Sequence, residues 1–286
     1  MRFAIAILFC ATLLAAAPER ERAYDLYQRT DYQQSLNLLL PAANKDAGDY
    51  LLIGQNYFML GEYKKATDAF DKALSSGNAD SNLCLWAGRA YGRRAETASF
   101  FTAPGLASHA RKLFEKAVDL DLSNKAAVGD LFDYYLGAPG FLGGGLDKAQ
   151  ALAQRMAGRD PVEGQYLMAQ VEEKRKQFDQ AEQHLRRAVS MAPHQVSRVL
   201  DLARYLARHG RLKESDTLFE RAEQMAPANP RVLFYRAETY VHGKRNLQDA
   251  RTLLERYLAA PLTPDDPPRA QAEALLQQIM PQQIHF

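Results

Sequence analysis

The chain has 286 residues, 47% of them hydrophobic and 24% charged, and its 36 basic and 34 acidic side chains give a net charge of +2. This composition is that of a globular protein, so it excludes general disorder, a collagen-like chain and a multi-span membrane protein. The balanced charge gives no basic surplus that would favour nucleic acid as a partner, and two cysteines are too few for a disulfide scaffold or a four-cysteine zinc site.

The first residues have the pattern of an export signal. Arg2 is followed by an uninterrupted apolar run from Phe3 to Ala17 that ends in small residues. The run is shorter than the roughly 20 residues that a membrane-spanning helix needs. We therefore predict a signal peptide over residues 1–17 and a periplasmic or envelope location. Because Pro18 follows the best cleavage site, an uncleaved anchor is the alternative, and membrane contact is expected only through this segment if it is retained.

A spacing of 34 residues recurs along the rest of the chain. Ala169, Ala203 and Ala237 follow one another at this interval, and Pro193 and Pro227 are separated by the same interval. The fullest copy of the pattern combines small residues, aromatic residues and an apolar helical face, and consists of Gly54, Tyr57, Gly61, Tyr63, Ala66, Phe70 and Ala73. Small residues on a first helix allow a second helix to approach closely, and Gly61 favours a turn between the two.

This pattern resembles the tetratricopeptide repeat, a pair of antiparallel helices. The resemblance implies an all-α protein, a right-handed α-solenoid of about seven helix pairs with a C-terminal capping helix. The predicted repeats cover residues 19–46, 47–80, 81–123, 124–161, 162–194, 195–229 and 230–264, and the cap covers residues 267–280. Residues 18–286 are thus predicted to form a single solenoid domain.

Two of the predicted repeats are longer than the period. The third has ten extra residues near Arg93–Leu106 and the fourth has five in Gly137–Gly145, and both inserts are expected as loops between paired helices. The second resembles an APG-x-x-GG-x-x-KA stretch of a group of exported bacterial tetratricopeptide-repeat proteins. Phe100, Phe101 and Phe141 lie in the inserts without a repeat position to fill, so they either contact a partner or fold back and plug the superhelix.

Motifs of catalysis are missing from the sequence. The glycine cluster Gly143–Gly145 lacks the lysine and hydroxyl residue of a phosphate-binding loop. The six histidines have no metal-ligand spacing, and no serine occurs in a G-x-S-x-G elbow. We therefore predict that the protein is not an enzyme and needs neither a cofactor nor a metal.

The predicted function is a non-catalytic interaction scaffold that binds a peptide or partner protein. In the implied solenoid the first helices line a concave face. The candidate contact residues there are Arg89, Arg93, Tyr166, Gln170, Arg204, Arg208, Phe234 and Glu238, joined by Phe100, Phe101 and Phe141 of the inserts. The alternative is a carrier for an apolar small molecule or lipid, associated with an envelope transport system.

Overall fold

The structure, a computed structural model, describes residues 19–279, which are helical apart from short connections. The predicted signal peptide lies outside the described residues. Contacts divide the chain into two compact units, with the boundary between Leu152 and Ala153; the single domain expected from the sequence stays a prediction. Within residues 19–279 no helix is both long enough and apolar enough to cross a membrane.

Unit 1 is a stack of helix pairs. Its helices are α1 (residues 19–28), α2 (Tyr32–Leu39), α3 (Ala47–Met59), α4 (Tyr63–Leu74), α5 (Ser81–Thr97), α6 (Ala103–Leu120), α7 (Lys125–Gly137) and α8 (Leu146–Ala157), the last of which crosses the unit boundary. The second helix α4 packs on α3 and α6 packs on α5, and the first helices α3, α5 and α7 also contact one another in turn. This is the all-α solenoid arrangement that the sequence predicted.

Two glycines of the first helices lie directly against a side chain of the second helix of the pair. A Cβ atom on Gly54 would lie 2.4 Å from the ring of Phe70, and one on Gly88 would lie 2.6 Å from the ring of Phe114. Phe70 is completely buried and Phe114 nearly so. The glycines therefore make room for an aromatic ring of the second helix, which confirms the role predicted for Gly54.

Turns and caps fix where the first helices begin and end. Gly61 and Gly210 follow first helices with φ of +77°, a conformation in which glycine carries no steric penalty. At the other end, the carboxylates of Asp46, Asp80 and Asp160 each accept a hydrogen bond from the backbone N–H three residues later. Such caps satisfy donors that a helix start leaves unpaired.

The insert of the third repeat is mostly helix, so the prediction of a projecting loop is wrong here. α5 has 17 residues against 13 in α3. Relative to the equivalent residues Ala117 and Ala73, α6 begins four residues earlier than α4. The connection, residues 98–102, is two residues longer than that of the second repeat. Pro104 lies in the first turn of α6, where a helix tolerates proline because no backbone N–H is needed there.

The insert of the fourth repeat is a loop, as predicted. It contains a short 3₁₀ turn, Gly140–Leu142. The Tyr134 hydroxyl donates to the Leu142 carbonyl oxygen over 2.9 Å, which ties the loop to α7. A Cβ atom on Gly144 would lie 1.9 Å from the carbonyl oxygen of Ala138, so only glycine fits this position.

Unit 2 repeats the same construction. Its complete helices are α9 (Pro161–Lys174), α10 (Phe178–Met191), α11 (Val196–Arg208), α12 (Leu212–Met225), α13 (Pro230–His242), α14 (Leu247–Ala259) and α15 (Arg269–Ile279). α15 packs on α13 and α14 and buries Ala272 and Leu275. The Tyr257 hydroxyl donates to the Pro267 carbonyl oxygen in the connection to α15. The last helix therefore covers apolar surface of the seventh predicted repeat.

Candidate functional site

Four of the predicted contact residues come together in unit 2. Their side chains line one cavity of about 170 Å³, here called the α9–α11 cavity: Tyr166 and Gln170 on α9, and Arg204 and Arg208 on α11. Each helix contributes residues at i and i+4, which lie on one helix face. Glu173 and Asp201 also line the cavity, and neither was among the residues predicted from the sequence.

Carboxylates on neighbouring first helices hold the two arginines. Arg204 Nη2 lies 3.0 Å from Glu238 Oε2 on α13, and its guanidinium stacks 4.1 Å from the ring centroid of Tyr235. Arg208 Nη2 donates to both carboxylate oxygens of Glu173 on α9 at 3.1 Å. The guanidinium groups are thus held in place by carboxylates of this chain, and Glu238, a predicted contact residue, is itself paired with Arg204.

Asp201 lines the cavity together with Arg204 and Arg208, and one of its carboxylate oxygens lacks a hydrogen bond. Its Oδ2 atom is buried without a hydrogen bond, although Arg198 Nε lies 3.4 Å away. Burial raises the pKa of Asp201 to about 6, against the opposing effect of Arg198 and Arg204. A raised pKa of this kind means that the ionised carboxylate destabilises the fold, and such groups are concentrated at functional sites.

Replacing Asp201 with asparagine is expected to stabilise the protein in a pH-dependent way. The carboxyl ionises near pH 3.9 in an unfolded chain and near pH 6 in the folded protein. The folded state therefore binds more protons between these values, and stability falls as the pH rises through that window. We expect Asp201→Asn to raise the free energy of unfolding by about 1–3 kcal/mol at neutral pH. Urea denaturation near pH 4 should show less than half of this gain.

A matched control for this substitution is Asp216→Asn in the same unit. Asp216 accepts two hydrogen bonds from Arg245, of 2.7 and 2.9 Å, so loss of its charge should destabilise the protein at neutral pH. If both variants lose stability at neutral pH, the argument about Asp201 is wrong.

Two other predicted arginines lie in unit 1, where each faces its own carboxylate. Arg89 Nε donates to Asp130 Oδ2 over 2.5 Å, and its guanidinium stacks on Trp86. Arg93 Nη1 lies 2.5 Å from Glu96 Oε2. Neither contributes to the α9–α11 cavity.

Phe234 lies in the core, so its prediction as a surface contact residue is wrong. Only 2% of it is exposed, and its ring packs 5.2 Å from the Tyr257 ring between centroids. Phe234 precedes the fully buried Ala237 by three residues and shares its helix face. That face of α13 is turned toward α14.

The insert phenylalanines are exposed, which contradicts the alternative that they plug the superhelix. Phe100, Phe101 and Phe141 expose 85%, 91% and 83% of their surface. All three lie in connections between the first and second helix of a pair. In a stack of antiparallel pairs these connections share one edge, so the three insert phenylalanines lie along a single edge of unit 1.

Models of protein families match three segments of the chain. Two models, both described as tetratricopeptide repeat, match residues 50–76, 162–195 and 200–267. These segments therefore contain tetratricopeptide repeats, and the second and third carry the residues of the α9–α11 cavity.

Two solved structures are similar to this chain at low sequence identity. A tetratricopeptide repeat protein from Parabacteroides merdae has a TM-score of 0.58 and 13% identity, with 94% of this chain and 100% of that chain covered. A thermophilic tetratricopeptide-repeat protein from Thermus thermophilus has a TM-score of 0.49 and 19% identity, over 68% of this chain and 99% of that chain. No curated protein matches the sequence. The first of these structures supports the fold and carries no information about function.

Proposed function

We propose that the tetratricopeptide repeats of this chain form a non-catalytic scaffold for a peptide or partner protein. Repeats of this family commonly mediate protein–protein interactions. The observation that carries the proposal is the convergence of Tyr166, Gln170, Arg204 and Arg208 on the α9–α11 cavity. The insert tips of unit 1, with their exposed phenylalanines, provide the second contact surface.

The size and chemistry of the α9–α11 cavity suit a peptide. At about 170 Å³ it is smaller than the roughly 300–1,000 Å³ of small-molecule sites, so it accommodates one side chain or a short length of backbone. Arg204 and Arg208 supply donors, and Gln170 both donates and accepts hydrogen bonds. These groups match the carbonyl and amide groups of an extended chain.

Affinity capture from an envelope extract tests the scaffold function. The mature chain should retain a protein partner, and Arg208→Gln should weaken that retention without unfolding the protein, because the Arg208 side chain is 53% exposed. Arg187→Gln, on the second helix α10, is the matched control and should leave retention unchanged. Native mass spectrometry distinguishes the scaffold from the alternative carrier function. A carrier should be purified with a bound lipid or small molecule, and a scaffold without one.

We further propose that the scaffold acts in the periplasm or at the cell envelope. The support is the apolar run from Phe3 to Ala17 behind Arg2. Fractionation should recover the protein outside the cytoplasm, and sequencing should find the new N-terminus between about Ala16 and Glu19 if the signal is cleaved. Recovery from the cytoplasm with Met1 retained would refute an export signal.

A further inference from the structure

A second surface lies at the tips of the second and third repeats in unit 1. It is a groove of about 920 Å³, open to solvent, and is here called the tip groove. One wall is the turn from α3 into α4, Gly61–Lys65, and the other runs from the end of α5 to the start of α6, Arg94–Leu106. Its volume is well above that of the α9–α11 cavity and lies within the roughly 300–1,000 Å³ of ligand sites, which is enough for a large side chain together with its neighbouring residues.

The walls of the tip groove are largely apolar. Tyr63, Ala98 and Leu106 line it, and Phe101 stands at its rim with 91% of its surface exposed. Phe100 packs edge-to-face against Phe101, with 5.8 Å between ring centroids. Covering an exposed apolar cluster of this kind with another apolar surface lowers the free energy, because both surfaces are removed from water.

The cations of the tip groove differ in their partners. Lys65 is paired with Glu62, and Lys64 Nζ lies 3.1 Å from Asp68 Oδ2. Arg94 has no carboxylate within ion-pair distance among residues 19–279. Its Nη1 donates to the neutral Thr67 hydroxyl over 2.8 Å, and its guanidinium lies 5.7 Å from the ring centroid of Tyr91.

Arg94 is therefore unlike the arginines of the first helices described above. Arg89, Arg93, Arg204 and Arg208 each face a carboxylate of this chain. Arg94 is partly buried beside apolar walls, where a guanidinium interacts more strongly with an anion than it does in water. A carboxylate supplied from outside would complete its pairing.

We propose that the tip groove binds a segment of a partner protein in which an acidic residue adjoins a large apolar residue. The apolar side chain lies between Tyr63, Leu106 and Phe101, and the carboxylate pairs with Arg94. This inference rests on the proposed scaffold function and specifies the chemistry of the partner at the insert tips. A bilayer surface would also cover the phenylalanines, and its phosphates would also pair with an arginine, so the vesicle experiment below separates that occupant from a peptide.

Fluorescence anisotropy tests the proposal with two short probes. The acidic probe is a fluorescein-labelled peptide amide of leucine, phenylalanine, aspartate and glutamate in that order, and the neutral probe has asparagine and glutamine instead. The mature chain should bind the acidic probe at least about tenfold more tightly. Arg94→Gln should abolish the preference for the acidic probe, and Phe101→Ala should weaken the binding of both probes. Arg187→Gln is the matched control and should leave the preference intact, because Arg187 is exposed on α10 and does not line the tip groove.

Three outcomes would overturn the proposal. They are an absence of saturable binding of the acidic probe, equal binding of the two probes, and an acidic preference that survives Arg94→Gln in a variant with the wild-type melting temperature. Co-sedimentation with vesicles of phosphatidylethanolamine and phosphatidylglycerol, lost in Phe101→Ala, would identify a membrane contact in place of a peptide site. If the probes fail while capture of a partner still depends on Arg208, the scaffold function stands and the tip-groove proposal alone is wrong.

Discussion

Replacing Phe219 with alanine is expected to lower the free energy of unfolding by about 3–5 kcal/mol. Phe219 lies on α12 and is fully buried in the core of unit 2, in the same cluster as Ala203, Leu206 and Ala222. Its removal forfeits the transfer free energy of the ring and leaves a cavity, because packed helices relax only in part. Urea denaturation followed by circular dichroism measures the loss.

The control for this substitution is Phe178→Ala in the same unit. Phe178 exposes 45% of its surface and makes one ring contact, to His209 at 4.8 Å between centroids. The hydrogen bond that the Tyr205 hydroxyl donates to the Phe178 backbone carbonyl remains available in the variant. We expect a loss of about 1 kcal/mol. An equal loss in the two variants would mean that Phe219 is not part of a close-packed core.

Replacing Gly88 with alanine is expected to destabilise unit 1 by about 1–3 kcal/mol, although alanine is a better helix former than glycine. The new Cβ atom would lie 2.6 Å from Cε1 and 2.7 Å from Cδ1 of Phe114. Because the ring is packed between helices, it must move or tilt at the expense of other contacts. Thermal and urea denaturation of Gly88→Ala should both show the loss.

Gly92 provides the matched control, one helical turn further along α5. No described atom lies within 4 Å of a Cβ atom built there, and its φ is that of an ordinary helical residue. Gly92→Ala should therefore raise the free energy of unfolding by about 0.5–1 kcal/mol. Changes of the same sign in the two variants would show that the close contact between Gly88 and Phe114 does not limit packing.

Much of the fold follows from the sequence because one contact recurs. Small residues such as Gly54 and Ala203 mark where the first helix of a pair meets the second, and a fixed period between such positions predicts stacked helix pairs. The prediction fails at the insert of the third repeat because its Ala-Pro-Gly stretch suggests a loop. Pro104 instead occupies the first turn of α6, so the helix starts before it.

The candidate site is only partly predictable. The i, i+4 spacing places Tyr166 with Gln170 and Arg204 with Arg208, but it gives no sign that the Asp201 carboxylate lies largely buried beside them. Charged residues on a helix are usually solvated, and burial here depends on the neighbouring first helices. Phe234 shows the opposite error, because a shift of a single residue in the helix register rotates a side chain by about 100° and moves it between the solvent and the core.

The lengthened hairpin of α5 and α6 has a consequence for local unfolding. Both helices extend about 6 Å past their counterparts in the second repeat, since each gains four residues at the tip. These terminal turns have no counterpart in the second repeat, so we expect their amides to exchange with deuterium at a lower free energy than those at Gly88. The added residues lie at the tip, while the start of α5 stays seven residues before Gly88, as the start of α3 does before Gly54. A solenoid can thus acquire new recognition surface at a hairpin tip without altering the packing between its repeats.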